Sequence, residues 1–477
     1  MRTTLRRSCD SCAKSKLRCN LHLPQCSRCF KRKIDCLYAN EPLSASLTES
    51  AGTASARSSP GSEATVAKLS PSPEIFLVNP GLQSFDPFDS YPQTRLPRPL
   101  VQRLIQHFLT TIAFQYYPLD LDAASNPFVT SWFPLALADP ALFHVSLQTA
   151  SLDVELREQN GFTNSDVLMA DSVSLLRVKV QDPDLALQDE TLDSVVTLAA
   201  IEFGKGNTAV SQAHIDGVKS MVRLRGGIGQ VKARSPLTAR MVAWYLVSMI
   251  VQQSPQFTTR DDLTGREGIA PPSQWHETAV QSSRVTAPLY GALELSPIID
   301  DILTRLRFLF HKASGFDLTT ADFHDLTCFV LHALLDDAAQ PLNDTEPQSS
   351  LESEMIRYAI ALFLLVVHGP TYFSHARLQY TTTLKLRANI DRWRLAPQST
   401  HDSLWIWILS IGMAASSGTP EYAYFTAHAH EVATIAGLHA WEAVVAHHKH
   451  VLWLENRVTA RLFQPHWEAV WAVNTDA

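Results

Sequence analysis

The spacing of apolar residues along the chain predicts helices and almost no strands. From about residue 97 onward, apolar side chains recur three and four positions apart, as in Val101, Leu104, Ile105 and Phe108, which places them on one face of an α-helix. The same spacing predicts further helices: Asp189–Phe203, Gln212–Arg225, Leu237–Gln252, Ile299–Lys312, Met355–Val367, Tyr380–Trp393, Leu404–Ala414 and Glu421–Ala436. Strand signals are scarce, so we predict an all-α region with a long irregular insert around Ser254–Pro297.

Two short motifs predict where helices begin and end. Asp139 followed by Pro140 is typical of a helix start, because the carboxylate accepts hydrogen bonds from unpaired N–H groups and proline fits the first turn. Gly226 and Gly227 follow a turn that contains Arg223. Glycine after a basic last turn is typical of a helix end.

No stretch of the chain is long and apolar enough to span a membrane. The longest apolar runs, Val242–Val251 and Tyr358–Val367, cover about half of the roughly 20 residues that a membrane-spanning helix needs. The first seven residues are not followed by an apolar stretch. We therefore expect no membrane partner and no secretory signal.

A segment without apolar periodicity precedes the helical region. Between Pro42 and Pro73, 24 of 32 residues are Ser, Thr, Pro, Gly or Ala, a composition that cannot bury enough apolar surface to fold. We predict a disordered Ser/Pro-rich linker over residues 41–95. Near its end, acidic and aromatic residues alternate, and Phe85 and Phe88 either belong to an activation segment or dock on the helical region; docking is the favoured interpretation.

Charge and cysteine are concentrated at the N-terminus. The 477 residues carry a net charge of −7, but residues 1–40 carry +8 and the remainder carries −15. Six of the seven cysteines lie within the same 40 residues. The chain therefore combines a basic, cysteine-rich head with an acidic body, which indicates two separate functions.

The spacing of the head cysteines indicates a metal centre. The unit C-x2-C-x6-C occurs twice, and its members are Cys9, Cys12, Cys19, Cys26, Cys29 and Cys36. Paired thiolates at this spacing suit tetrahedral zinc, and six thiolates complete two tetrahedral ions if two of them bridge. A disulfide framework is disfavoured because an export signal is lacking, and an iron–sulfur cluster would use only four thiolates. We therefore predict zinc, which would also stabilise so small a fold.

These residues resemble the Zn2Cys6 binuclear-cluster module of fungal transcription factors. The resemblance covers about 30 residues and includes all six cysteines, the basic loop and a proline two positions before the fourth cysteine. It implies two Zn²⁺ ions bridged by Cys9 and Cys26, and a turn at Pro24 between the two halves. It also implies a Zn2Cys6 DNA-binding domain over residues 1–40.

The resemblance implies roles for the basic residues of the head. Lys16 matches the lysine that reads a CGG-type triplet in the major groove, where guanine offers two adjacent acceptors. A helix that starts near Asp10 would project Lys14 and Lys16 from its end. The residues expected to hold DNA beside Lys16 are Lys14, Arg18, Arg28, Lys31, Arg32 and Lys33. Many family members carry basic residues where this chain has Ala13 and Ser15, so its phosphate contacts are distributed differently.

The region from about residue 96 onward resembles the fungal-specific regulatory domain that follows such clusters. The similarity is strongest around Asn126–Phe143, Thr191–Glu202 and His214–Gly227. It implies an all-α fungal transcription factor regulatory domain over residues 96–477. For Glu202 and His214, a structural hydrogen-bonding role is favoured over ligand binding.

An all-α body also leaves an enzyme or a ligand-binding protein as the alternative, with the zinc module as a tether. Enzymes that process prenyl diphosphates hold Mg²⁺ through aspartate-rich helix faces. Asp300-Asp301 and Asp336-Asp337 lack the further acid at the fifth position, so we interpret them as helix-start or solvent-face charges. We expect no metal at the late histidines: His428, His430, His439, His447, His448 and His450. Cys328 is expected to be a buried apolar thiol.

The sequence as a whole predicts a nuclear, DNA-binding transcription factor without enzymatic activity. We expect the protein to bind double-stranded DNA, either as a homodimer or together with other transcription regulators. The resemblance further implies control of RNA polymerase II transcription of a metabolic or secondary-metabolite gene set. In the sum, the positive charge of the head is outweighed by the negative charge of the rest of the chain. The net charge of −7 for the whole chain therefore says little about whether the protein binds nucleic acid.

Overall fold

The computed structural model describes two short pieces of the head and most of the body. These are residues 10–15, 27–32, 91–159, 161–250, 270–282, 295–311, 317–339, 351–371, 375–394, 402–455 and 457–472. Every regular element in these ranges is a helix. The predicted all-α fold of the body is therefore confirmed. None of the described helices combines the length and hydropathy needed to cross a bilayer.

The described part of the head consists of two short helices. Helix α1 spans Asp10–Lys14 and helix α2 spans Ser27–Arg32. The two helices contact each other. Each has basic residues in its last turn, where the negative end of the helix dipole favours cations.

The first half of the body is built from helices that enclose one apolar core. The helices are α3 (Arg98–His107), α4 (Ala113–Tyr116), α5 (Phe133–Ala138), α6 (Pro140–Glu158), α7 (Thr163–Gln181), α8 (Pro183–Ala186), α9 (Asp189–Gly204), α10 (Thr208–Leu224), α11 (Ile228–Arg234) and α12 (Pro236–Ile250), with π-helical segments at Phe108–Ile112 and Phe128–Trp132. We call their shared interior the N-terminal core; its largest buried rings belong to Phe108, Trp132 and Phe143.

The second half of the body encloses a second apolar core. Its helices are α13 (Ser273–Ser282), α14 (Pro297–Phe310), α15 (Thr320–Ala339), α16 (Leu351–His368), α17 (Ala376–Arg394), α18 (Asp402–Ala415), α19 (Glu421–Ala436), α20 (Trp441–Val451) and α21 (Arg457–Ala472). We call this interior the C-terminal core; Phe363, Trp407 and Trp467 are among its fully buried side chains.

Helix α12 joins the two cores. Tyr245 and Leu246 pack in the N-terminal core, whereas Trp244 and Val247 pack in the C-terminal core. A helix that buries opposite faces in two cores is apolar nearly all round, which explains the long apolar run beginning at Val242 without a membrane.

Both predicted helix boundaries are confirmed by their hydrogen bonds. The Asp139 carboxylate accepts from the backbone N–H of Leu142 at 2.9 Å, and Pro140 begins α6. At the end of α10, Gly226 has a φ of 90°, a conformation that favours glycine. The N–H of Gly227 donates to the carbonyl of Val222 at 2.9 Å, which satisfies one of the carbonyls that a helix end leaves unpaired.

The predicted irregular insert is wrong for residues 273–282, which form α13. This helix has few apolar residues, so periodicity gives no signal for it. It is held by Trp275, which is 1% exposed and packs edge-on against Phe329 with ring centroids 5.4 Å apart. The guanidinium carbon of Arg305 lies over the indole ring, 4.9 Å from its centroid.

The end of the predicted linker contacts the body. The ring of Tyr91 stacks on Phe143 with centroids 5.7 Å apart, and Arg95 forms an ion pair with Asp171 at 2.7 Å. Residues 41–90, including Phe85 and Phe88, lie outside the described residues, so the interpretation that these two rings dock remains a prediction.

Candidate metal centre and nucleic-acid interface

Two of the six predicted zinc ligands lie in the described part of the head, and both are buried. Cys12 on α1 is 2% exposed and Cys29 on α2 is 0% exposed. The two helices that carry these thiols contact each other. Cys9, Cys19, Cys26 and Cys36 lie outside the described residues. Buried cysteines in so small a unit are typical of structural metal sites, where the metal supplies the folding energy that an apolar core cannot.

The basic residues of the described head face solvent. Lys14, Arg28, Lys31 and Arg32 are all exposed. They lie on the same two helices as the buried thiols, so each helix turns cysteine inward and cations outward. Such a surface can contact a phosphate backbone without disturbing the interior. Lys16, Arg18 and Lys33 lie outside the described residues.

The aspartates of the first pair, Asp300-Asp301, act as local helix charges. Asp300 lies in the first turn of α14, which Ser296 caps, and Asp301 forms an ion pair with Arg305 at 3.0 Å. The side chains of Asp336-Asp337 lie outside the described residues. For Asp300 the interpretation as a helix-start charge is confirmed.

The late histidines have separate partners. His447 Nδ1 lies 2.9 Å from Ser403 Oγ, and His428 Nδ1 lies 2.7 Å from the carbonyl of Tyr424. His448 is buried, and its Nε2 lies 2.7 Å from Ser410 Oγ. Across the described ranges of head and body, His, Cys, Asp and Glu do not assemble into a group of three that would hold a metal ion.

Glu202 and His214 have structural surroundings. Glu202 Oε2 accepts from Asn207 Nδ2 at 2.5 Å and its other oxygen lies 3.9 Å from Lys205 Nζ. Burial lowers the pKa of His214, and the charge of Glu202 opposes this. The contacts of Glu202 hold the turn between α9 and α10, in agreement with the structural hydrogen-bonding role favoured for this residue. For His214 that role stays a prediction.

The sequence did not predict a cluster of histidines around Trp244. His368 stacks on the indole with centroids 4.0 Å apart, and His375 and His324 lie at 4.2 and 5.3 Å. The nearby Cys328 thiol is 1% exposed and burial raises its pKa, so the prediction that this thiol is buried is confirmed. These residues come from separate stretches of the chain, and no local motif joins them.

One face of α12 lines a small cavity beside this cluster. Its side chains Leu237, Arg240, Met241, Trp244 and Tyr245 follow helical spacing, and rings from α4, the second π-helical segment and α15 close the other side. Aromatic and aliphatic atoms make up nearly all of its wall. The cavity therefore marks the seam between the N-terminal and C-terminal cores.

Two family models match the chain. A fungal specific transcription factor domain matches residues 103–417, and a fungal Zn(2)-Cys(6) binuclear cluster domain matches residues 7–45. The second match implies that the head binds zinc. It also includes the basic residues Lys14 and Arg28, which the structure places at the surface.

One curated relative is similar to the head. It is a Zn(2)-C6 fungal-type transcription factor, aoiH, from Aspergillus oryzae, 57% identical over 35 residues. The similar part is 7% of this chain and 9% of the relative, so the similarity does not extend to the body. No solved structure matches the chain.

Proposed function

The chain belongs to the fungal specific transcription factor family, and on that premise we propose that its zinc head reads CGG-type triplets to control RNA polymerase II transcription in the nucleus. The two matched domains make it a DNA-binding transcription factor. The observation that carries the proposal is the arrangement of the head, in which Cys12 and Cys29 are buried while Lys14, Arg28 and the end of α2 are exposed.

The proposed metal centre holds two Zn²⁺ ions. Six thiolates from the two C-x2-C-x6-C units supply the ligands, with Cys9 and Cys26 bridging the ions. Zinc suits this donor set because thiolates prefer a soft tetrahedral cation. Six thiolates and two Zn²⁺ together carry −2, so the folded head keeps about +6 of its formal charge.

The proposed contacts divide between one base-reading lysine and several phosphate contacts. Lys16 donates to adjacent guanine acceptors in the major groove. Phosphates are held by Lys14, Arg18, Arg28, Lys31, Arg32 and Lys33. Phosphate contacts set the orientation of the head on the duplex, whereas the lysine supplies sequence discrimination.

The body is proposed to serve regulation rather than catalysis. Its family points to a non-enzyme. The chain after residue 40, linker included, carries −15, and a body of this sign repels DNA, so that a long linker to the head is physically reasonable. A single triplet gives few base pairs of specificity, so the protein is proposed to act as a homodimer or with other regulators on a metabolic or secondary-metabolite gene set. The domain boundaries 1–40, 41–95 and 96–477 form part of this proposal.

Replacing Lys16 tests the proposed base contact in the full chain. We expect Lys16→Ala to lose discrimination between a CGG site and scrambled DNA while native mass spectrometry still finds two zinc ions. Lys68→Ala, in the Ser/Pro-rich linker, is the matched control and should retain full discrimination. If Lys16→Ala still discriminates, Lys16 is not the base contact; if one zinc is found, the binuclear model is wrong.

A further inference from the structure

Ser15 directly follows the last residue of α1 and lies at the surface of the head. It is exposed, as is Lys14 before it, and Lys16 follows it in the chain. The chain therefore presents a hydroxyl group directly between two lysines of the head.

The hydroxyl of Ser15 has a defined position at the helix end. Its Oγ donates to the carbonyl oxygen of Ser11 at 2.8 Å, and its backbone N–H donates to the same oxygen at 3.2 Å. Both hydrogen bonds satisfy a carbonyl that the end of α1 would otherwise leave to water. The side chain thus sits at the surface of the head and holds the last turn before Lys16.

We propose that Ser15 is a phosphorylation site whose modification weakens DNA binding by the head, an inference that rests on the function proposed above. The modifying enzyme is a serine kinase that selects basic substrates, because Lys14, Lys16 and Arg18 flank Ser15 in the sequence. A proline-directed kinase does not fit, since the next residue is lysine. Ser15 Oγ attacks the γ-phosphorus of ATP, the bond from that phosphorus to the β–γ bridging oxygen breaks, ADP leaves, and the hydroxyl proton passes to the catalytic base of the kinase.

Phosphorylation at this position acts in two ways. It adds about −1.5 to −2 charges at neutral pH beside Lys14 and Lys16, directly where the head must approach DNA phosphates. It also replaces the donor hydroxyl with an ester oxygen, so the hydrogen bond to the Ser11 carbonyl is lost and negative charge comes to lie at the negative end of α1. Both effects weaken binding to every DNA sequence, because neither depends on a base contact.

The test uses the zinc-loaded full chain, a purified basophilic serine kinase and ATP. We expect mass mapping to find phosphate on Ser15, and affinity for a CGG site to fall roughly tenfold or more at 0.1 M salt. The magnitude of the salt slope, d log K/d log [salt], should fall by about two, since the phosphate cancels nearly two positive charges. Prior binding of DNA should protect Ser15 from the kinase.

Two variants distinguish an effect of the added negative charge from a loss of folding of the head. Ser15→Ala removes the modification and the hydrogen bond without adding charge, so kinase treatment should leave its DNA affinity unchanged. Ser15→Arg should bind DNA more tightly and raise the magnitude of the salt slope by about one. Zinc content measured by native mass spectrometry should be the same before and after phosphorylation.

Different experimental results would contradict the proposed function and the role of Ser15. If the unmodified chain does not select CGG sites, the proposed function fails. If it does select them, but the kinase leaves Ser15 unmodified or phosphorylated Ser15 leaves affinity and salt slope unchanged, the inference about Ser15 is wrong.

Discussion

Arg240 donates two parallel hydrogen bonds to the carboxylate of Asp325, from Nε to one oxygen at 2.9 Å and from Nη2 to the other at 3.1 Å. Lys232 Nζ lies 3.1 Å from the same carboxylate. The pairing joins α11 and α12 to α15, and therefore crosses the seam between the N-terminal and C-terminal cores. Two cations thus depend on one nearly buried carboxylate.

Removing this carboxylate should destabilise the body strongly. We expect Asp325→Ala to lower the free energy of unfolding by about 3 kcal/mol, because Arg240 would lose both of these hydrogen bonds. Lys232 would lose its carboxylate partner and keep the carbonyl of Ala270, 2.9 Å from its Nζ. Urea unfolding of the full chain, followed by tryptophan fluorescence, measures the change. Glu468→Ala, on the exposed side of α21, is the control and should shift the transition little. Equal shifts for the two variants would contradict the structural role of the pairing.

Buried histidines should make the body sensitive to acid. His324 Nδ1 lies 2.9 Å from His368 Nε2, so one ring donates and the other accepts. Burial lowers the pKa of His324 to about 4 and that of His448 to about 3, and the pKa of His368 is also lowered well below its ordinary value. In the unfolded chain these rings bind protons below about pH 6.5, whereas in the folded chain they do not. These three rings therefore lower the free energy of unfolding as the pH drops from 6.5 toward 5, and they add no pH dependence well above pH 6.5.

The slope of the free energy of unfolding against pH identifies which histidines cause the loss of stability. Each such histidine contributes about 1.4 kcal/mol per pH unit between its folded and unfolded pKa. Replacing His448 with Gln should reduce the slope between pH 6.5 and 5 by about that amount. Replacing the exposed His450 with Gln should leave the slope unchanged. Denaturant unfolding at several pH values measures both; an unaltered slope in the His448 variant would show that this ring is protonated in the folded state.

Gly412 allows a close approach of α18 and α19. A methyl group at this position would collide with the ring of Phe425, which is fully buried and therefore unable to move aside. We expect Gly412→Ala to destabilise the body by about 1–3 kcal/mol through overpacking, although alanine is the better helix former. Gly229→Ala in α11, where an added methyl group meets nothing within 4 Å, should be neutral or stabilising. If thermal unfolding ranks the two variants in the opposite order, the close packing of α18 on Phe425 is wrong.

Zinc removal should affect the head alone. All ten tryptophans lie at or after residue 132, so their fluorescence reports on the body. A chelator should abolish DNA binding, because zinc supplies most of the folding energy of the head. The denaturant midpoint of the tryptophan signal should stay where it was. A clear shift of that midpoint would mean that the body depends on the head for its stability.

Two kinds of helix could be predicted from the sequence: those with an amphipathic apolar pattern and those with a recognisable start or end motif. Helix α19 has the predicted bounds Glu421–Ala436, and the start of α6 follows from the Asp139-Pro140 pair. Helix α13 could not be predicted, because a single buried ring, Trp275, holds it rather than a periodic face. The π-helical segment Phe108–Ile112 was likewise not predictable, since apolar spacing does not distinguish it from the α-helix before it.

The functional residues also fall into a group that could be predicted from the sequence and a group that could not. The ligands of the head could be proposed because metal coordination fixes the type and spacing of residues that lie close in sequence. The cluster around Trp244 could not, because His324, His368 and His375 reach the indole only through packing of separate helices. Contacts of that kind depend on tertiary structure, and a single sequence carries no local signal for them.

Selection of binding sites from a random DNA library measures which sequence the zinc head reads. The full chain, loaded with zinc, is used for the selection, with Lys16→Ala in parallel. We predict that the unaltered protein enriches sites that contain CGG-type triplets, and that the Lys16 variant enriches no common sequence while it keeps two zinc ions. Enrichment of no sequence by the unaltered, zinc-loaded protein, or of a sequence without such a triplet, would contradict the account.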